Sequence, residues 1–170
     1  MRLRGNILQA RPNLSPMRIL TVCLGNICRS PAAEAAIRAA AAEEGLQVEV
    51  DSAGTGDYHI GDGPNPRSIA AGAEVGLDVR GTARQVRLED FEQFDLIVAM
   101  DHANFEDLRR LAPSSSARAK VHLFRDFDPA SRGREVPDPY YGTDEDYRAM
   151  VKVILPAARG LVERLKELSS

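Results

Sequence analysis

Cys23 and Arg29 flank five residues, Leu24, Gly25, Asn26, Ile27 and Cys28, and are followed at once by Ser30 and Pro31. A thiol and a guanidinium at this separation bring together a soft nucleophile and a planar, doubly donating grip for an anion. If the loop between them turns its backbone amides inward and a helix starts just after it, amides and helix N-terminus form a positive nest that fits an oxyanion of phosphate size. The same groups stabilise a negative sulfur on Cys23, aimed at the phosphorus of a bound phosphoryl group. Gly25 is read here as the residue that gives the loop a backbone conformation closed to other residues.

The ordinary fate of an unpaired cysteine is inert packing. Cysteine, glycine, arginine, serine and proline falling together on one strand-to-helix junction is a conjunction that packing does not require, and it favours chemistry. Expelling an oxygen from phosphorus calls for a proton donor opposite the nucleophile. Asp138 stands in the run Asp138, Pro139, Tyr140, Tyr141, Gly142. Alone, that run reads equally well as a turn with packed aromatics. Joined to the Cys23 loop, it offers a carboxyl for the proton and two rings to wall an aromatic substrate.

These residues need a frame. Arg18 to Cys23 reads as a strand, Leu24 to Arg29 as a loop, and Ser30 as the N-cap of an alanine-rich helix with Pro31 at its first position, ending at Gly45. Leu46 to Val50 follows as a second strand, and glycine-rich Asp51 to Pro64 as a surface loop. Asn65 and Pro66 open a helix that stops near Gly76, and Leu88 to Phe94 suggests a further helical turn or two. Asp95 to Met100 has the continuous apolar run of a strand buried on both faces, and Val121 to Phe124 that of a fourth. Ala103 to Leu111 fits a helix between them. Thr143, with Asp146 three residues on, starts the last helix, whose apolar face takes in Tyr147, Met150, Val151, Ile154, Leu161, Leu165 and Leu168. Pro156 inside it predicts a kink or break over Lys152 to Pro156.

Alternating strands and helices imply an α/β fold, a single doubly wound domain with a four-stranded parallel sheet of flavodoxin-like type and helices on both faces. In such folds ligands sit beyond the carboxyl ends of the strands, where the loop after the first strand lies. Met17 marks the start of the domain, 17–170, and residues 1–16 read as a poorly ordered extension.

The 170 residues, 44% of them hydrophobic, suffice for one core, and the formal charge of -3 argues against a nucleic-acid partner. No stretch is apolar and long enough for a membrane span. The two cysteines are no disulfide framework and point to reduced thiols in a cytoplasmic setting. His59, His102 and His122 are scattered and read as solvated or capping. With no histidine cluster and no second cysteine pair, neither a metal nor another cofactor is expected.

The run CLGNICRSP resembles the phosphate loop of the low-molecular-weight protein tyrosine phosphatases. The resemblance extends through Asp51 to Gly54, Ala83 to Gln85, Ala99 to Asp101 and Asp138 to Gly142, covering 17–168. It implies Cys23 as nucleophile, Arg29 as ligand of the phosphoryl oxygens, Ser30 as donor to the leaving thiolate, Asn26 as brace of the loop, and Asp138 as general acid. Loop residues Leu24 to Ser30 would bind the phosphate, Tyr58, Tyr140 and Tyr141 would form the rim, and Ser52 and Asp101 would support from behind. It also implies a reversible disulfide between Cys28 and Cys23, although a loop this short strains such a bond. Some members carry a histidine where this chain has Gly81, so the bracing of Asn26 differs here in detail.

The expected partners are a tyrosine-phosphorylated protein or peptide and, in the loop, inorganic phosphate or another oxyanion. Because the acid must start protonated while the sulfur is ionised, an optimum on the acid side of neutrality follows. The rivals are a phosphoarginine phosphatase, whose pattern favours threonine where Ile27 stands, a thiol-dependent arsenate reductase, which needs further cysteines, and an oxyanion-binding module without turnover.

Overall fold

The computed structural model describes residues 16–169. The reading of 1–16 as a poorly ordered extension falls, apart from Pro16, outside them. Four parallel strands, β1 (Met17–Cys23), β2 (Val48–Gly54), β3 (Leu96–Ala99) and β4 (Val121–Leu123), lie in the order β2-β1-β3-β4. The helices are α1 (Arg29–Glu43), α2 (Pro66–Ala73), α3 (Asp90–Gln93), α4 (His102–Leu111), α5 (Ser115–Arg118) and α6 (Asp144–Ser169), with a 3-10 turn at Phe124–Phe127.

The two-residue period of the strands divides the core. Ile19, Cys23, Leu96 and Val98 point to the face covered by α1 and α6. Leu20, Val22, Ile97 and Ala99 point to the other, with Phe91, Leu108 and Ala117 from α3, α4 and α5. Burial of each large aliphatic side chain in these two layers stabilises the fold by about 1.5–3 kcal/mol. The sheet is therefore doubly wound and all-parallel, as the alternation of elements implied.

Local chemistry sets the ends of the helices. Asn65 accepts from the amide of Arg67 and caps α2 with Pro66 at its first position. Thr143 and Asp146 exchange amide bonds at the start of α6. After α1, Gly45 adopts φ 65°, and the amides of Gly45 and Leu46 return to the carbonyls of Ala42 and Ala41. That double bond closes the helix and needs the left-handed glycine.

Four expectations are corrected. Asp51–Gly54 is strand: it pairs in register with Leu20–Cys23 of β1, Cys23 lying opposite Gly54. Ser30 is not the cap of α1, which starts at Arg29 with Cys28 at the N-cap position and no side-chain cap; the Ser30 hydroxyl is engaged by Cys23 and Asn26 instead. α6 continues through Pro156 without a break. Proline forfeits one backbone bond there, but Ile154, Ala157, Ala158 and Leu161 are all buried around it, and their packing outweighs that loss. Leu168, expected on the apolar face, is exposed.

Candidate active site

Cys23 ends β1, one of the two inner strands, and the chain curls over it before entering α1. The loop carbonyls are pinned from outside. Cys23 O and Leu24 O accept from the amides of Thr55 and Gly56 at 2.9 Å each, Ile27 O from the amide of Asn65 at 2.8 Å, and Cys28 O from Ser68 Oγ at 2.8 Å. In a trans peptide the amide of the next residue points opposite to the carbonyl. The N–H groups of Leu24, Gly25, Cys28 and Arg29 are thereby turned away from those partners. Gly54 allows the close approach: a Cβ there would lie 2.6 Å from Leu24 O.

The left-handed residue of the loop is Asn26, at φ 58°, not Gly25. Asparagine tolerates this conformation better than most residues. Gly25 matters for a different reason, since a Cβ on it would meet the His59 ring at 3.0 Å. Asn26 is fully engaged: its amide donates to Cys23 Sγ at 3.2 Å, Nδ2 to Ser30 Oγ and Ser52 Oγ at 2.9 Å each, and Oδ1 accepts from the amide of Arg84 at 3.0 Å. The backbone amide of Arg84 thus braces Asn26 from the segment that follows α2. Because Ser30 Oγ already accepts from Asn26, its own hydrogen is left for Cys23 Sγ at 3.0 Å or Ala53 O at 3.4 Å.

Arg29 is buried, 3% exposed. Its Nη1 donates to Asp101 Oδ2 at 2.6 Å and to Val136 O at 3.2 Å, while Nη2 lies 3.6 Å from Asp138 Oδ2. Burial opposes the charge, but Cys23, Asp101 and Asp138 outweigh it and hold the guanidinium above its ordinary pKa. Asp101 also caps α4 by accepting from the amide of Asn104 at 2.7 Å. Asp138 is half-exposed at the mouth, and its Oδ1 accepts from the amide of Tyr140.

Cys28 faces the last helix. Burial pushes its thiol up to about 11, and its sulfur lies 3.5 Å from the hydroxyl of Tyr147 on α6. Both cysteines are free.

A cleft of about 350 Å³ is lined by Cys23, Leu24, Gly25, Ile27, Cys28 and Arg29 below, and by Tyr58, His59, Asp138, Tyr140 and Tyr141 above. Tyr140 and Tyr141 meet edge to face with centroids 4.7 Å apart. Ser52 and Asp101 stand behind the loop, each bonded to one of its residues. His59 was missed: its ring packs on Tyr140 at 5.8 Å and its Nδ1 lies 3.4 Å from Asp62. The only signal was its place next to Tyr58. His122, expected to be solvated or capping, is largely enclosed, and burial lowers its pKa. Among the described residues no cluster of His, Cys, Asp or Glu could hold a metal, and no helix is long and apolar enough to cross a membrane.

A family model described as low molecular weight phosphotyrosine protein phosphatase matches residues 18–170. A low molecular weight protein-tyrosine-phosphatase of Streptomyces coelicolor is 44% identical over 154 residues, 88% of this chain and 94% of that protein. Among solved structures, a protein tyrosine phosphatase of Entamoeba histolytica with Hepes in its active site superimposes with a TM-score of 0.86 at 36% identity, covering 91% of this chain and 99% of that one. The YwlE arginine phosphatase, whose mutant from Bacillus subtilis has also been solved, superimposes with a TM-score of 0.78 at 29% identity over 89% and 97% of the two chains. With a match over nearly its whole length and the loop geometry above, this chain belongs to the low molecular weight phosphotyrosine protein phosphatase family.

Proposed function

We propose that the protein hydrolyses phosphotyrosine, and aryl phosphates generally, through a phosphocysteine intermediate. The observation that carries this is a single cleft lined by Cys23, Arg29 and Asp138 with aromatic rings at its mouth. In the first half, the Cys23 thiolate forms a bond to phosphorus, the bond from phosphorus to the tyrosyl oxygen breaks, and Asp138 gives that oxygen its proton. In the second, the Asp138 carboxylate takes a proton from water, the water oxygen bonds to phosphorus, and the thiolate is released with inorganic phosphate. Ser30 Oγ, with its hydrogen free for the sulfur, stabilises that departing thiolate. Arg29 and the loop amides carry the charge on the equatorial oxygens, where one such donor is typically worth about 2.7–4 kcal/mol. No cofactor enters either half.

The pH optimum on the acid side of neutrality belongs to this reading, because Asp138 must begin protonated and Cys23 ionised. Cys23→Ser abolishes hydrolysis of an aryl phosphate while inorganic phosphate still binds, and Asp138→Asn lowers turnover by about 10²–10⁴. Retained hydrolysis in Cys23→Ser would defeat the covalent mechanism; a binding module would never have hydrolysed the ester.

A second reading, phosphoarginine hydrolysis, follows from the likeness to YwlE. Ile27 in the cleft and the two tyrosines favour a flat aromatic ester. Phosphotyrosine, phosphoserine and phosphoarginine peptides compared on the purified protein separate the two. Arsenate reduction is disfavoured, since Cys28, a thiol that burial keeps protonated, is the sole cysteine besides Cys23. The family likeness supports a further role for that neighbour, protection of an oxidised Cys23 as a reversible disulfide. Two free thiols fit the reducing cytoplasm.

A further inference from the structure

The first turn of α2 reaches in two directions. On one side it holds the phosphate loop, through the amide of Asn65 on Ile27 O and the buried hydroxyl of Ser68 on Cys28 O. On the other, the Arg67 side chain crosses to the segment that carries Asp138. Arg67 Nη1 donates to Gly142 O at 2.7 Å, and Nε lies 3.3 Å from Asp144 Oδ1 at the start of α6. The segment between is tightly wound: the amide of Gly142 donates to Pro139 O at 2.7 Å, and that of Tyr140 to Asp138 Oδ1 at 3.1 Å. One compact turn thus separates the Asp138 carboxyl from the carbonyl that Arg67 grips.

We infer that Arg67 is a positioning residue for the proton donor: it fixes the Asp138–Gly142 segment over the phosphate loop by fastening both to the same helical turn. The inference rests on the reading of Asp138 as general acid. A guanidinium suits the task because its planar fork can serve a carbonyl and a carboxylate at once, whereas an ammonium is a point charge. Arg67 is about half exposed, and exposed ion pairs of this kind contribute little to global stability. Its removal loosens the acid without unfolding the cradle, so proton delivery suffers and attack by sulfur does not.

The leaving group reads out that difference. p-Nitrophenolate departs as a stabilised anion, while phenolate, with a pKa near that of tyrosine at about 10, needs the proton. In kcat/KM, which covers the step that expels it, Arg67→Ala loses about tenfold on phenyl phosphate and less than about twofold on p-nitrophenyl phosphate. The inhibition constant of inorganic phosphate stays unchanged. Arg67→Lys restores part of the phenyl phosphate rate by recovering one of the two contacts. Asp138→Asn is the reference and shows the same discrimination more strongly. Equal losses on both esters, or weakened phosphate binding in Arg67→Ala, overturn the positioning role. If Asp138→Asn itself fails to discriminate, the general-acid reading falls and takes this inference with it; if Asp138→Asn discriminates and Arg67→Ala does not, the clamp alone falls.

Discussion

Asp101 joins Arg29 to α4: one carboxylate oxygen accepts from the guanidinium at 2.6 Å while the other accepts from the amide of Asn104 at 2.7 Å. A single side chain thereby aims the guanidinium proposed to grip phosphate and starts a helix. Asp101→Asn separates the two roles, because asparagine caps as well as aspartate but gives Arg29 no charge to lean on. The expected result is a fall of about tenfold in kcat/KM for an aryl phosphate, since a small misplacement of an oriented group is costly. The inhibition constant of phosphate moves less. Unchanged kcat/KM would show that Val136 O and Asp138 suffice to hold the guanidinium.

With its thiol raised to about 11 by burial, Cys28 is almost wholly protonated at neutral pH. Iodoacetate on the native protein is expected to label Cys23 alone, and excess phosphate is expected to slow that labelling. Peptide mapping decides the matter; modification of Cys28 at a comparable rate refutes the assignment of unequal reactivity.

His122 ties stability to pH. Burial lowers its folded pKa below the ordinary 6.5, the Ala119 carbonyl and Asp126 partly oppose the shift, and Arg109 adds to it. The folded state therefore prefers the neutral ring. This contribution is complete above about pH 6.5, the unfolded value, and is lost as pH falls through the depressed folded value. Urea denaturation from pH 8 to pH 5 should show the native protein losing more stability than His122→Gln over that window. Parallel curves would remove the histidine from the account.

Gly160 lies where α6 crosses the 3-10 turn, and a Cβ there would collide with the Phe127 carbonyl oxygen. Gly160→Ala should gain helix propensity yet lose overall, since forcing the two backbones apart costs about 1–3 kcal/mol. The melting temperature should then drop by roughly 2–4 °C for each kcal/mol lost. A rise would mean that the turn yields easily.

The strands and helices that bury both faces or carry caps were legible from local pattern alone: β3 from its unbroken apolar run, α2 from Asn65 and Pro66, and the end of α1 from Gly45. The second half of β2 was not, because Asp51, Ser52 and Gly54 carry loop chemistry and become strand only through pairing with β1. α5 escaped for a similar reason, since its run of serines carries loop chemistry although Ser114 is a true N-cap.

The loop residues that line the cleft were legible from the motif, but their partnerships were not. Arg29 and Asp101 are distant in sequence, and nothing local announces which carboxylate will meet a guanidinium. Gly25 and Ser30 were assigned by habit of residue type: Asn26 took the left-handed conformation because its amide group could be satisfied on every side, and Ser30 turned to the sulfur instead of capping.

The placement of Cys23 at the end of an inner strand, and of Asp138 on an exposed turn, divides the site by burial. The sulfur is enclosed by the sheet and the first helix, whereas the outer turn is anchored at its own ends by Arg67 and by its internal bonds, so the outer turn can change in sequence without disturbing the strand that carries the sulfur. A lineage could retune which phosphoproteins it accepts by altering the outer turn, leaving the cradle untouched.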